Sequence, residues 1–119
     1  MQKQYPEYRA HLQGLVAKLA KEMRGPMLGF SRLHREAVAD GVLSRKVKEL
    51  IALGISISVG CDGCVLAHVH DALRAGATRE EIVETIGVAV VMGGGPALFS
   101  GSEALEAVEQ FAAEGLARP

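Results

Sequence analysis

Aromatic residues make up only 4% of the chain, and tryptophan is absent. Stacked-base platforms and aromatic cages need several such rings, so both are excluded. No charge of one sign dominates either: 13 Lys and Arg face 14 Asp and Glu, a formal net charge of −1. Without a basic stripe to neutralise phosphates, nucleic-acid binding is not expected. Long apolar runs are also missing. The uncharged stretch Thr85–Ser102 is interrupted by Gly93-Gly94-Gly95-Pro96, whereas a membrane-spanning helix wants about 20 predominantly apolar residues. Met1–Arg24 is studded with charges and has no apolar core of a secretion signal. A soluble, cytoplasmic protein is expected. Cysteine is scarce, with two residues, and in a reducing compartment a permanent structural disulfide is not expected of them.

What is present fits one globular unit. The chain has 119 residues, 49% of them hydrophobic and 23% charged, a size and balance suited to a single domain spanning 1–119. We divide it into N-terminal helices (1–41), a core (42–100) and a C-terminal helix (101–119). A mean hydropathy of +0.18 is high for so small a chain, because small domains have much surface for their volume. Some apolar surface is therefore expected to face a second copy of the chain.

Breakers fall at helical spacing, and the fold class read from them is all-α with about six helices. Leu12, Leu15, Val16 and Leu19 form an i, i+3, i+4, i+7 stripe in Tyr5–Met23. Phe30, Leu33, Ala37 and Val38 recur similarly after Gly25-Pro26, and Asp40-Gly41 closes that segment. Ser44 caps a third helix, Arg45–Val59, apolar on nearly every side in its later part and so expected to be buried all round. Its β-branched content leaves a strand as the alternative. Gly60 interrupts, Cys61 opens a fourth helix, and Gly76 stops it. Thr78-Arg79-Glu80-Glu81 has the form of a capping box for a fifth helix burying Ile82, Ile86 and Ala89 or Val90. Pro96 suits the first turn of a sixth, ending near Gly115.

Cys61-Asp62-Gly63-Cys64 is the sharpest feature, with His68 four residues later and Glu49 twelve before Cys61. At a helix start, unpaired N–H groups and the positive dipole end favour a thiolate, and the three-residue offset lets the sulfurs meet. His68 lies one turn beyond Cys64 on the same face. His70 is about 200° around from His68 and should point away. In one continuous helix Glu49 and His68 would be about 28 Å apart; an antiparallel turn at Gly60 makes them nearly level. A carboxylate beside an imidazole fixes its tautomer and stabilises its protonated form. Asp62 works mildly against a thiolate at Cys61.

Glu49-x11-Cys61-x2-Cys64-x3-His68 resembles the AhpD-like alkylhydroperoxidase branch of the carboxymuconolactone decarboxylase superfamily. Lys46-Val47-Lys48-Glu49-Leu50-Ile51, Ala67-His68, Leu73–Ile82 and Met92–Ala97 extend the match over about 42–100. The resemblance implies a helical fold assembled as trimers or hexamers. It also implies that Cys64 attacks peroxide, Cys61 resolves the sulfenic acid, and Glu49 and His68 relay protons. One departure is Gly63, where the branch's prototype has a histidine.

These features lead to a thiol–disulfide oxidoreductase and peroxidase that reduces hydroperoxides through a redox-active Cys61–Cys64 pair, regenerated by an external dithiol donor. No other cofactor and no metal are expected, and the partners are a peroxide or disulfide substrate and further copies of the chain. The alternatives are a decarboxylase-type small-molecule enzyme and a non-catalytic helical oligomeric binding module. For the cysteines themselves, inert buried thiols and a zinc site using Cys61, Cys64, His68 and Glu49 are the competing readings; a structural zinc needs four ligands. A thioredoxin-like reading fails for want of a βαβ pattern. His11 and His34 read as ordinary histidines. Gly93–Gly95 lacks the lysine of a phosphate loop, so it reads as a turn or a close helix approach.

Overall fold

A computed structural model describes residues 3–115. Among these, every regular element is an α-helix: α1 (Tyr5–Glu22), α2 (Arg24–Val38), α3 (Arg45–Val59), α4 (Asp62–Arg74), α5 (Arg79–Gly93) and α6 (Gly95–Ala113). The strand alternative for Arg45–Val59 does not occur. No helix among the described residues is long and apolar enough to cross a membrane.

Local chemistry sets the boundaries. Ser44 accepts the Val47 N–H at the start of α3, and Gly60 ends that helix in the left-handed region at φ 81°, a conformation glycine adopts without steric cost. The capping box at α5 is complete: Thr78 Oγ1 accepts from Glu81 N, and Glu81 Oε1 accepts from Thr78 N. The Thr78 N–H and then the Lys46 ammonium, 3.0 Å from Glu81 Oε2, hold the Glu81 carboxyl below its ordinary range. Pro96 occupies the first turn of α6.

The core is aliphatic, built from Leu53 and Ile57 of α3, Val65, Leu66, Val69 and Leu73 of α4, Ile82 of α5, and the Ala104, Ala107, Val108 and Phe111 face of α6. Gly93 and Gly101 allow close helix approach. A Cβ on Gly101 would lie 2.5 Å from Ile86 Cγ2, and one on Gly93 2.8 Å from Ala97 Cβ. The triglycine segment is thus both a tight junction and a turn, with Gly94 at φ 71°. Tyr5 ties α1 to α6: its N–H donates to Gln110 Oε1 at 2.6 Å and its hydroxyl to Glu103 Oε2 at 3.1 Å. Burial, then Glu103, raise the Tyr5 hydroxyl pKa well above its ordinary value.

Three apolar stripes behave differently from their sequence reading. α3 is not buried all round: Leu53 and Ile57 enter the core, whereas Ile51, Ile55 and Val59 are exposed. Leu15, Val16 and Leu19 of α1 are about half exposed, and Phe30 and Leu33 of α2 more so. α2 has no buried residue at all. Periodicity identifies the apolar face of a helix, but not whether that face meets this chain's own core. The exposed faces of α3 and α5 border an open apolar groove of about 560 Å³ that includes Ile51, Ile55, Val88 and Met92.

Candidate active site

Gly60 turns the chain back on itself, so that α3 and α4 pack as neighbours. Glu49, on the inner face of α3, is completely buried. Its Oε1 lies 2.8 Å from His68 Nδ1 on α4. A carboxylate only accepts, so Nδ1 carries the proton and Nε2 is left with the lone pair of a base. The second carboxylate oxygen, Oε2, is buried with no hydrogen-bond partner. Arg45, one turn earlier, stands 3.7 Å from it, within ion-pair range but beyond hydrogen-bonding distance.

Cys61 is the N-cap of α4, and its sulfur accepts the Cys64 N–H at 3.2 Å. The two cysteines are joined as a disulfide with a Cα–Cα distance of 5.2 Å. Cys64 is exposed and Cys61 half-buried, so an attacking group reaches Cys64 more readily. A negative charge left on Cys61 would sit at the positive end of α4, facing a backbone donor. Asp62 opposes that charge less than its position suggests, because Lys3 Nζ lies 3.5 Å from its carboxylate. Gly63 faces Leu12, whose Cδ1 would stand 3.4 Å from a Cβ there.

Both cysteines line a cleft of about 620 Å³ between α1 and α4, walled by Leu12, Val16, Leu66 and Ala67 and edged by Arg9 and Asp71. The half-exposed stripe of α1 is thus partly cleft wall rather than core. His70 points elsewhere, as its angle on the helix requires: Nδ1 bonds Asp71 Oδ1 at 2.9 Å, and the ring packs edge-on against Phe111.

The structure also brings up residues to which the sequence reading gave no role, His34 among them as an ordinary histidine. His34 of α2 lies with its ring centroid 6.1 Å from that of His68, which no local spacing signals. Arg45 and Asp71 were within reach of the sequence, at i−4 from Glu49 and i+3 from His68. The metal-ligand set differs from the one weighed for zinc. Glu49, His68 and Asp71 are the residues whose ligand atoms gather within 4.8 Å, while the cysteines are engaged with each other.

Residues 27–107 match the profile of the carboxymuconolactone decarboxylase family. The chain belongs to this family. It is 41% identical over 87 residues to an uncharacterised protein of Cupriavidus necator, covering 73% of this chain and 77% of that one. It is 37% identical over 82 residues to a protein of the cox locus of Paracoccus denitrificans, covering 69% and 74%. Among solved structures, a carboxymuconolactone decarboxylase family protein from Legionella pneumophila, in its apo form, superposes with a TM-score of 0.86 at 44% identity, covering 91% of this chain and 96% of that one. A family member from Thermotoga maritima, described as possibly involved in antioxidative response, gives 0.78 at 27% identity, covering 95% and 93%.

Proposed function

We propose that this family member is an AhpD-like thiol–disulfide oxidoreductase that reduces hydroperoxides through Cys61 and Cys64. The observation that carries this reading is the Glu49–His68 hydrogen bond, one helical turn from an exposed cysteine already paired with a second. Inert thiols would need no buried carboxylate–imidazole pair beside them.

In the dithiol form, His68 Nε2 takes the proton of the Cys64 thiol, directly or through a water. The thiolate attacks the terminal oxygen of ROOH. An S–O bond forms as the O–O bond breaks, leaving a Cys64 sulfenic acid and an alkoxide that departs as ROH with the proton from His68. Cys61 then attacks the Cys64 sulfur, the S–S bond forms, and the hydroxyl leaves as water with the Cys61 proton. One hydroperoxide and two thiols become an alcohol, water and a disulfide. An external dithiol reverses the oxidation. Its thiolate attacks the exposed Cys64 sulfur, Cys61 leaves as a thiolate at the N-terminus of α4, and the donor's second thiol releases Cys64. Glu49 holds the imidazole in the tautomer that keeps Nε2 basic and stabilises the imidazolium once it forms.

The same reading makes the protein a cytoplasmic homo-oligomer, trimeric or hexameric, whose only cofactor is its own disulfide and which needs no metal. The antioxidative role suggested for the Thermotoga relative accords with it. The test is turnover with a panel of hydroperoxides and dithiol donors. Sustained peroxide loss dependent on both Cys61 and Cys64 is expected; turnover that survives Cys64→Ser would contradict the proposal.

A further inference from the structure

Next to the Glu49–His68 pair lies a second, polar cavity of about 290 Å³, lined by Arg9, Arg45, His70, Asp71, Arg74 and Ala75. Three arginines and one aspartate share this lining, in a chain whose overall formal charge is −1. The local acids satisfy the guanidiniums only in part. Asp71 Oδ1 is engaged by His70, and Glu49 Oε2 is 3.7 Å from Arg45 Nε, beyond hydrogen-bonding distance. Arg9 Nε is buried without any hydrogen-bond partner. Leaving a buried charged donor unpaired is unfavourable, and a ligand oxygen that meets it recovers the loss.

Arg9 and Asp71 also edge the cleft that contains the disulfide, so the polar and apolar cavities meet at these two residues. Asp71 is seven residues beyond Cys64 on α4, a separation of about 10 Å along the axis. The apolar cleft that holds the cysteines thus adjoins a cavity lined by planar, bidentate anion receptors. Guanidinium suits a carboxylate better than a point cation does, because two parallel N–H donors match its two oxygens. The same cluster repels a metal cation from the Glu49, His68 and Asp71 group.

We infer that the Arg9–Arg45–Arg74 cavity is an anion subsite, which binds the carboxylate of an amphipathic hydroperoxide whose hydrocarbon chain lies in the Leu12–Val16 cleft and whose O–O bond reaches Cys64. This rests on the redox reading for the identity of the reacting bond, but the binding site does not. A fatty-acid-like ligand is the substrate class, and small neutral peroxides use only half of the site.

Calorimetric titration of the disulfide form with octanoate tests the inference without any redox chemistry, so its failure and that of the peroxidase reading are separable. Saturable binding of octanoate is expected, with 1-octanol bound at least about tenfold more weakly. Arg9→Gln and Arg74→Gln should each weaken octanoate by about tenfold or more, with Arg74→Lys losing less than Arg74→Gln. Circular dichroism shows whether each variant is folded, and the exposed Arg74 keeps the test valid if Arg9→Gln does not fold. No octanoate binding, equal affinity for 1-octanol, or unaltered affinity in Arg74→Gln would overturn the subsite.

Discussion

Glu49 Oε1 and His68 Nδ1 stand 2.8 Å apart although the residues are 19 positions distant in sequence. Only the Gly60 turn brings them together, and under the proposed function the completely buried carboxylate would act on the cysteines through the imidazole alone. Two side chains in series should behave as one device. Glu49→Gln and His68→Ala are each expected to slow Cys64 oxidation at neutral pH by about 10²–10⁴-fold, the usual worth of general-base assistance. The double variant should be little slower than either single one, and rates at high pH, where the thiol ionises unaided, should recover. Stopped-flow oxidation of the reduced protein across a pH series measures both. Multiplicative losses without recovery at high pH would contradict the relay.

The exposed apolar faces lead to an expectation about assembly. Ile55, Val59, Val88 and Met92 are each at least 60% exposed in the isolated chain, and contiguous apolar surface of this kind marks interaction sites. Light scattering at working concentration should return a trimer or hexamer. An active monomer at the same concentration would contradict it.

Close helix packing makes two glycines respond oppositely to the same change. Gly101→Ala places a methyl 2.5 Å from a branch carbon of Ile86, and overpacking of this kind costs about 1–3 kcal/mol. The gain in helix propensity, about 1 kcal/mol, does not outweigh it. At Gly14 in α1, a methyl group would meet nothing within 4 Å, so Gly14→Ala should stabilise by up to about 1 kcal/mol. Denaturant midpoints of the two variants on opposite sides of the wild type are the expected result.

The α5 capping box should make stability depend on acid pH. Thr78 and Lys46 hold the folded-state pKa of Glu81 below its unfolded value, so its contribution is present at neutral pH and is lost as pH falls through that lowered value. Melting temperatures of wild type and Glu81→Gln should therefore differ at pH 7 and converge in acid. Curves that stay parallel down to pH 3 or so would show that the carboxylate's charge is not involved.

The sequence made most of this site legible because its spacing is helical. Cys61, Cys64 and His68 lie on one helix, and a single glycine sufficed to place Glu49 opposite. The all-α class and the α5 capping box were equally readable, since breakers and caps act locally. What could not be read is what depends on packing between distant segments. Arg9 reaches Asp71 and Arg74 only because α1 lies across α4, and His34 nears His68 only because α2 packs back against α3. The same applies to the apolar residues of α1 and α3, which line a cleft and a groove as well as the core.

The charges around the carboxylate lead to an expectation of metal independence. Arg45 and the other guanidiniums already oppose the Glu49, His68 and Asp71 group, and a cation there would also compete with the Glu49–His68 bond. Metal analysis should find well under one zinc per chain, and a chelator should leave the melting temperature unaltered. Stoichiometric zinc with destabilisation on its removal would contradict the redox assignment.

Single-turnover oxidation of the reduced protein is the most direct measurement of all. One equivalent of hydroperoxide should consume both thiols of each chain, yield one equivalent of alcohol, and leave a Cys61–Cys64 disulfide identifiable by peptide mass. Thiols that persist under excess hydroperoxide, or their loss without that disulfide, would contradict the central claim.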